Sequence, residues 1–353
     1  MNSKLPRILF ISRKYPPSIG GMQEANYQLS KHLKKQVPTK IVAYGGNKKW
    51  LPLAYPLLMI RAIISCISFK PTVILLGDGV LSPLGWILKK IFKIKVVVII
   101  HGLEIKCNLP FYQFLIPRFI KRMDLLVAVS RYTKQECLRR DITPEKIIVI
   151  PNGVDLKKYL SDKTKDELRG LIRKNFSINL KNKKVLLTVG RLKKRKGHQW
   201  FIKNVMTKFD NNFIYLIAGV GEEKTKIHKE IKQNNLTDRV FLLGKVSERQ
   251  KKYLLNVADI FVMPNIQVSG DVEGFGIVAL EAASVGLPVI ASNIDGIKDA
   301  LKLISNSCAV NERDNKAFIK AIKKFNQNFS KTVTINKSKL SWEQIAEKYV
   351  NKI

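Results

Sequence analysis

"DIFVMPNIQVSGDVEGFGIVALEAASVGLPVIAS", residues 259–292, reads as one complete crossover unit. "DIFVMP" is a short apolar run of buried-strand type and "NIQVSGDVEGFG" a glycine-punctuated loop. "IVALEAASVG" is an apolar helix closed by Gly286, and "PVIAS" is a second strand. Strand, helix and strand in that order predict parallel pairing, because parallel neighbours need a long, usually helical, crossover. The near-continuous apolar character of the strands predicts a sheet covered on both faces.

The same alternation extends in both directions. Upstream, "VLLTVG" (185–190), "FIYLIAG" (213–219) and "RVFLLG" (239–244) repeat the strand pattern, with segments of helical length between them. Residues 156–183 interrupt it with polar, Lys-rich sequence. Before that pause, "RILFIS", "KIVAY", "TVILLG", "KVVVIIH", "LLVAVS" and "IIVIPNG" form a first α/β series. The chain thus reads as two α/β domains of the same class. Ligands of such sheets bind outside the carboxyl ends of the strands.

Composition narrows the function. The 353 residues suffice for two domains, and a hydrophobic fraction of 46% suits globular protein. Residues 1–6 are short and polar, with no cleavage-site pattern, so no secretory leader is expected. The run "LPLAYPLLMIRAIISCIS" (51–68) contains Arg61 and two prolines, which argues against a membrane span and for a packed surface or core helix, with an interfacial membrane helix as the alternative. Cys66, Cys107, Cys137 and Cys308 are scattered, and the four histidines lack ligand spacing, so neither a metal site nor a disulfide framework is expected. The net charge of +36 attracts polyanions. Residues 1–153 hold only seven acids against 25 bases, which fits either solvated helix faces or docking on anionic lipid. No nucleic-acid partner is expected, because no RNP-like aromatic motif, zinc finger or helix-turn-helix is visible.

Three loops after strands carry the candidate chemistry. "ISRKYPPSIGGMQEANYQLSKHL" ends a strand near Ser12 and starts a helix near Gly21. Gly20 and Gly21 let a ligand approach the main chain, and the free N–H groups of the helix favour an anion. "VGRLKKRKGHQWFI" sets Arg191 and Lys196 after a strand, two cations suited to a diphosphate; Lys193, Lys194 and Arg195 interleave, so plain solvated charge is the alternative for the cluster. In the third loop Glu273 precedes the helix and Glu281 lies within it. At helical rise the eight-residue spacing covers roughly 12 Å, about the reach from a hexose across a diphosphate to a ribose. Carboxylates accept hydrogen bonds from sugar hydroxyls, although acids near a helix start are also favourable for the dipole alone.

"EGFGIVALEAASVGLPVIAS" resembles the E-x-seven-E motif of retaining glycosyltransferases of the GT-B fold, specifically glycosyltransferase family four. "PPSIGG", "HGLEIK", "VSRYTKQ", "IPNGVD", "VGRLKKRKG", "IAGVGEE", "FLLGKVS" and "SWEQIAEKY" match in family order along nearly the whole chain. The resemblance implies two Rossmann-like doubly wound domains facing a central cleft. They would be an acceptor-binding domain over 1–155, with a C-terminal helix 340–353 packed back on it, and a donor-binding domain over 165–335. Gly20 and Gly21 would lie at the donor phosphates and the acceptor's entry, Gly190 at the donor, and His101 at the transferring sugar. Arg191 and Lys196 would neutralise the leaving diphosphate. Glu273, with the amides of Gly274, Phe275, Gly276 and Ile277, would hold sugar hydroxyls and phosphate. Glu281 would bind the ribose, and Val246 would meet the base. "NIDGIKD" (293–299) departs from the usual Gly-Gly-Ile-Pro-Glu, which leaves that donor-side loop open.

The implied reaction moves a hexosyl unit, with retention, from a UDP- or GDP-sugar co-substrate to a lipid-linked, lipopolysaccharide or polysaccharide hydroxyl. No metal or other cofactor is implied. A cytoplasmic enzyme held peripherally on the anionic inner membrane face fits the charge. The alternatives are a non-catalytic nucleotide-sugar binder and, on charge alone, a nucleic-acid-binding protein.

Overall fold

The computed structural model describes residues 5–106, 110–327 and 340–353. The chain divides into two compact units. The first gathers the described residues of Met1–Gly153, Ser269–Phe275 and Ser338–Ile353, and the second those of Val154–Val268 and Gly276–Lys337.

The first unit has strands β1 (Ile8–Ser12), β2 (Thr39–Ala43), β3 (Val73–Leu76), β4 (Lys95–Ile100), β5 (Leu125–Ala128) and β6 (Ile147–Val149). They form one parallel sheet in the order β2-β1-β3-β4-β5-β6. The chain leaves β1 in one direction and returns on its other side at β3, so the topological switch lies between them. Helices α1 (Gly21–Gln36), α2 (Leu51–Phe69), α3 (Ser82–Phe92), α4 (Leu103–Lys106), α5 (Pro110–Lys121) and α6 (Arg131–Leu138) provide the crossovers and cover. β1 and β3 are buried along their whole length, as strands covered on both faces must be.

Helix α2 has the length and apolar composition to cross a membrane. Leu58, Ala62 and Cys66 instead seat it in the core against Leu84 and Leu88 of α3. The opposite side of α2 shows Leu53, Leu57, Ile60, Ile64 and Ile67 to solvent.

The second unit has β7 (Lys184–Val189), β8 (Phe213–Ala218), β9 (Val240–Gly244), β10 (Ile260–Met263), β11 (Val289–Ser292) and β12 (Ser307–Val310). Their order, β12-β11-β10-β7-β8-β9, is that of the Rossmann doubly wound sheet, with its switch between β7 and β10. Helices α7 (Lys165–Phe176), α8 (His198–Asn204), α9 (Lys224–Gln233), α10 (Glu248–Val257), α11 (Ile277–Ser284), α12 (Ile297–Leu301) and α13 (Asn315–Gln327) complete it. A capping box of Thr164 and Glu167 starts α7 inside the polar stretch that interrupts the strand pattern. Edge strand β12, "SCAV", is not among the strands read from sequence, since it is short and only Val310 is buried.

The last helix, α14 (Trp342–Lys352), starts at a Ser341 cap and packs on α1 of the first unit. Its Trp342 ring presses on Gly153, where a Cβ would fall 2.7 Å from the indole. Any side chain at 153 would push the helix away.

Candidate functional site

In the second unit, β7 runs out at Val189 beside the switch point. Arg191 is exposed, whereas Lys196 folds back and is only 6% exposed. A Cβ on Gly190 would lie 3.4 Å from Cε and 3.5 Å from Nζ of Lys196, so the ammonium lies over the bare glycine at the strand end. Gly197, at φ 68°, clamps the turn: a Cβ there would meet the Pro264 carbonyl oxygen at 1.8 Å, next to the end of β10. The Ile266 N–H donates to the Arg195 carbonyl at 2.9 Å and fastens the same two loops.

A buried chain of hydrogen bonds holds the residue after this turn. Thr188 Oγ1 donates to the Val262 carbonyl at 2.5 Å, and the Tyr215 hydroxyl donates to Thr188 at 2.8 Å. His198 Nδ1–H then donates to Tyr215 at 3.2 Å. Burial, aided by the Lys196 charge, pushes His198 down to about 3, so the ring is neutral and keeps its lone pair at Nε2. Of the three interleaved bases, only Lys194 matches the solvated reading. Lys193 pairs with Glu222 at 2.7 Å, and Arg195 is buried.

Helix α11 starts at Ile277, after Gly276. Glu273 therefore lies outside the helix, and the 12 Å helical spacing to Glu281 does not apply. Glu281 itself is buried and is not a bare carboxylate. Lys251 Nζ stands 2.6 Å from its Oε2, and the Tyr159 hydroxyl is 3.3 Å from its Oε1. Val246, half-buried after β9, immediately precedes the Ser247 cap of α10.

In the first unit, candidates gather at the ends of β1, β3 and β4. Gly20 and Gly21 begin α1 with no side-chain cap on its N–H groups. His101 Nε2 donates to the Gly77 carbonyl at 3.1 Å, and its backbone N–H donates to Glu104 Oε2 at 3.2 Å. The loop carrying Glu273 lies on this strand end. A Cβ on Gly274 would sit 1.8 Å from the His101 carbonyl oxygen, so only glycine permits the approach. Phe275 is buried beside it.

Three residues not read as candidates belong to this cluster. Arg13 Nε pairs with Asp78 Oδ1 at 3.0 Å, and Asp78 also accepts from the Val80 N–H at 2.9 Å. Glu104 is buried, and its pKa is raised by that burial, with Asp78 adding to the rise and His101 opposing it. The signal was scarcity: of the seven acids before residue 154, Asp78 and Glu104 fall in the short segments that follow strands β3 and β4. Among the described residues, no group of three or more His, Cys, Asp or Glu is placed to hold a metal ion.

Residues 19–158 match the family described as Glycosyltransferase Family 4, and residues 172–340 the one described as Glycosyl transferases group 1. Both matched families are glycosyltransferase families, and together the two matches cover most of the chain. Its relatives include the amylovoran biosynthesis glycosyltransferase AmsK of Erwinia amylovora, 27% identical over 251 residues that cover 70% of this chain and 58% of AmsK. Another is the UDP-Gal:alpha-D-GlcNAc-diphosphoundecaprenol alpha-1,3-galactosyltransferase of Escherichia coli, 32% identical over 211 residues, 56% of this chain and 50% of that protein. The chain thus spans between 50% and 58% of the length of these curated relatives. Among solved structures, Anabaena HepE in complex with UDP and glucose matches with a TM-score of 0.76 at 19% identity, over 98% of both chains. Sucrose-phosphate synthase of Thermosynechococcus elongatus matches with a TM-score of 0.79 at 19% identity, also over 98% of both. This likeness establishes a GT-B fold of two Rossmann-like domains.

Proposed function

We propose that the protein is a retaining glycosyltransferase. It moves a hexosyl unit from a nucleoside diphosphate sugar, UDP- or GDP-linked, to a hydroxyl of a lipid-linked, lipopolysaccharide or polysaccharide acceptor. The observation that carries this reading is the buried Lys196 ammonium over Gly190 at the switch point of a Rossmann sheet inside a glycosyltransferase domain. A fixed cation at a strand end suits a departing diphosphate, whose charge grows as the glycosidic bond breaks. The names of the relatives support the acceptor class: one acts on a diphosphoundecaprenol-linked sugar, another in amylovoran biosynthesis.

In the proposed step the acceptor oxygen bonds to the anomeric carbon on the face the diphosphate leaves. The acceptor proton passes to a donor phosphate oxygen, so no protein nucleophile is formed. Arg191 and Lys196 neutralise the diphosphate, and Glu281 holds the ribose. Glu273, the amides of Gly274 to Ile277, and His101 hold the transferring sugar and its phosphate. With two cations supplying the charge, the reading requires no metal. The test is calorimetry against UDP-, GDP- and ADP-sugars, followed by assay of free nucleoside diphosphate with a lipid-linked acceptor. One donor class should bind and be turned over. Binding without release of nucleoside diphosphate under any acceptor would leave a non-catalytic binder.

The proposed site of action is an anionic membrane surface. Ile87 and Ile91 of α3 and Phe114 of α5 are exposed as well as the apolar side of α2. Arg61, Lys90, Arg118 and Lys121 are exposed on the same three helices, none of which contains an acid. Apolar insertion and attraction to anionic headgroups then act together. Ile60→Glu with Ile64→Glu should cut flotation with phosphatidylglycerol vesicles at least about tenfold, since each change replaces buried apolar area with a repelled charge. Flotation equal to that of the unaltered protein, or equal on neutral and anionic vesicles at low salt, would remove the membrane role.

A further inference from the structure

With Glu281 holding the nucleotide ribose, as proposed, its neighbours decide how its oxygens are presented, and their role rests on that reading. The carboxylate is 8% exposed, in a place where an ionised group needs a counter-ion. Lys251, from the first turn of α10, supplies it: Nζ lies 2.6 Å from Glu281 Oε2, close enough for an ion pair though not aligned as a hydrogen bond. Lys251 Nζ donates instead to the Tyr159 hydroxyl at 2.9 Å, while standing 4.6 Å from the centre of the Tyr159 ring. That hydroxyl carries one proton and has two carboxylates within reach. Glu248 Oε2 is at 2.7 Å and Glu281 Oε1 at 3.3 Å, so the shorter contact takes the proton. Lys158 Nζ, 3.0 Å from Glu248 Oε2, adds to the pull in that direction. The two oxygens of Glu281 are therefore unequal. Oε2 faces a fixed cation, and Oε1 has only the longer contact of the Tyr159 hydroxyl, which leaves it capacity to accept another hydrogen bond.

We infer that Lys251 is a positioning and specificity-determining residue, which turns Glu281 so that Oε1 accepts from the vicinal hydroxyls of a ribonucleoside diphosphate. Glu281 thereby selects the ribose diol, and a deoxy sugar leaves its oxygen without a donor. Discrimination comes from that loss, because a buried acceptor left unpaired costs more than a hydrogen bond gains. Replacing Lys251 frees the carboxylate to rotate or take up a proton, and the preference for the diol falls.

The experiment is calorimetry with UDP and GDP, each beside its 2′,3′-dideoxy analogue, on the whole protein. The unaltered protein should bind the ribose form at least about thirtyfold more tightly, the range of one hydrogen bond to a charged group. Lys251→Met should bring that ratio below about threefold, and Lys251→Arg should restore most of it. Glu281→Gln should also abolish it. Retention of the full ratio in Lys251→Met overturns the inference while leaving the ribose reading intact. An equal loss of affinity for ribose and dideoxy forms shows a merely structural lysine and overturns it too. No preference in the unaltered protein, with no change in Glu281→Gln, removes the ribose reading and the inference with it. If Lys251→Met does not fold, Lys251→Gln keeps a donor for the Tyr159 hydroxyl, removes the charge, and is read in the same way.

Discussion

Lys196→Ala should lower turnover by about 10³-fold while the protein keeps its fold. The side chain is 6% exposed and lies over Gly190, so its charge is held where water screens it little. Removing one preorganised donor from a developing anion costs roughly 10² to 10³ in rate, and a full charge sits at the upper end. The loss should fall on the chemical step, because the diphosphate gains charge only as the sugar departs. Affinity for the intact donor should therefore change less than about tenfold while kcat collapses, the pattern of an interaction made mainly in the transition state. Stability should hold. Gly197 against the Pro264 carbonyl and the Ile266–Arg195 bond fix the turn through backbone contacts that alanine retains. The measurements are release of nucleoside diphosphate, donor affinity by calorimetry, and the melting temperature. Turnover within tenfold of the unaltered protein would take Lys196 out of the reaction.

The sequence made the strands legible because they are short apolar runs, those at the sheet centres such as β1, β3, β8 and β10 buried along their whole length, and the candidate loops came with them because ligands of such sheets sit at strand ends. β12 escaped because Ser307, Cys308 and Ala309 carry little apolar surface on an edge. The two-glutamate spacing misled for a different reason. Helical rise was applied from Glu273, but the glycines delay the helix until Ile277. Partners were the least legible. Lys251 and Glu281 stand thirty residues apart, and Arg13 and Asp78 sixty-five, so each pair exists only once crossovers bring separate elements together. Periodicity reports which side of an element is covered and says nothing of what covers it. A basic chain with acids at two strand ends shows that cations must be answered somewhere, and only the fold says which.

Gly274→Ala should cut turnover at least about 10²-fold and leave nucleoside diphosphate affinity within about threefold. The added Cβ would fall 1.8 Å from the His101 carbonyl oxygen, where non-bonded contact needs about 3.5 Å. The clash is with backbone at the end of β4, so no rotamer relieves it, and loop or strand end must move by more than about 1 Å. The His101 ring is tied to the Gly77 carbonyl and its N–H to Glu104, which favours displacement of the loop. Glu273 is the next residue and moves with it. A misplacement of about 1 Å in a positioning group can cost 10² in rate. The groups assigned to the nucleotide are held by other contacts: Lys196 by its clamped turn and Glu281 by Lys251. Affinity for the nucleoside diphosphate should then survive as turnover falls. Gly170→Ala provides the control. That glycine lies inside α7 with nothing within 4 Å of the added carbon, so alanine should leave activity alone and stabilise the helix by up to about 1 kcal/mol. If Gly274→Ala turned over as fast as Gly170→Ala, the approach of loop to strand end would be packing alone, and Glu273 would lose the structural argument for its place in the reaction.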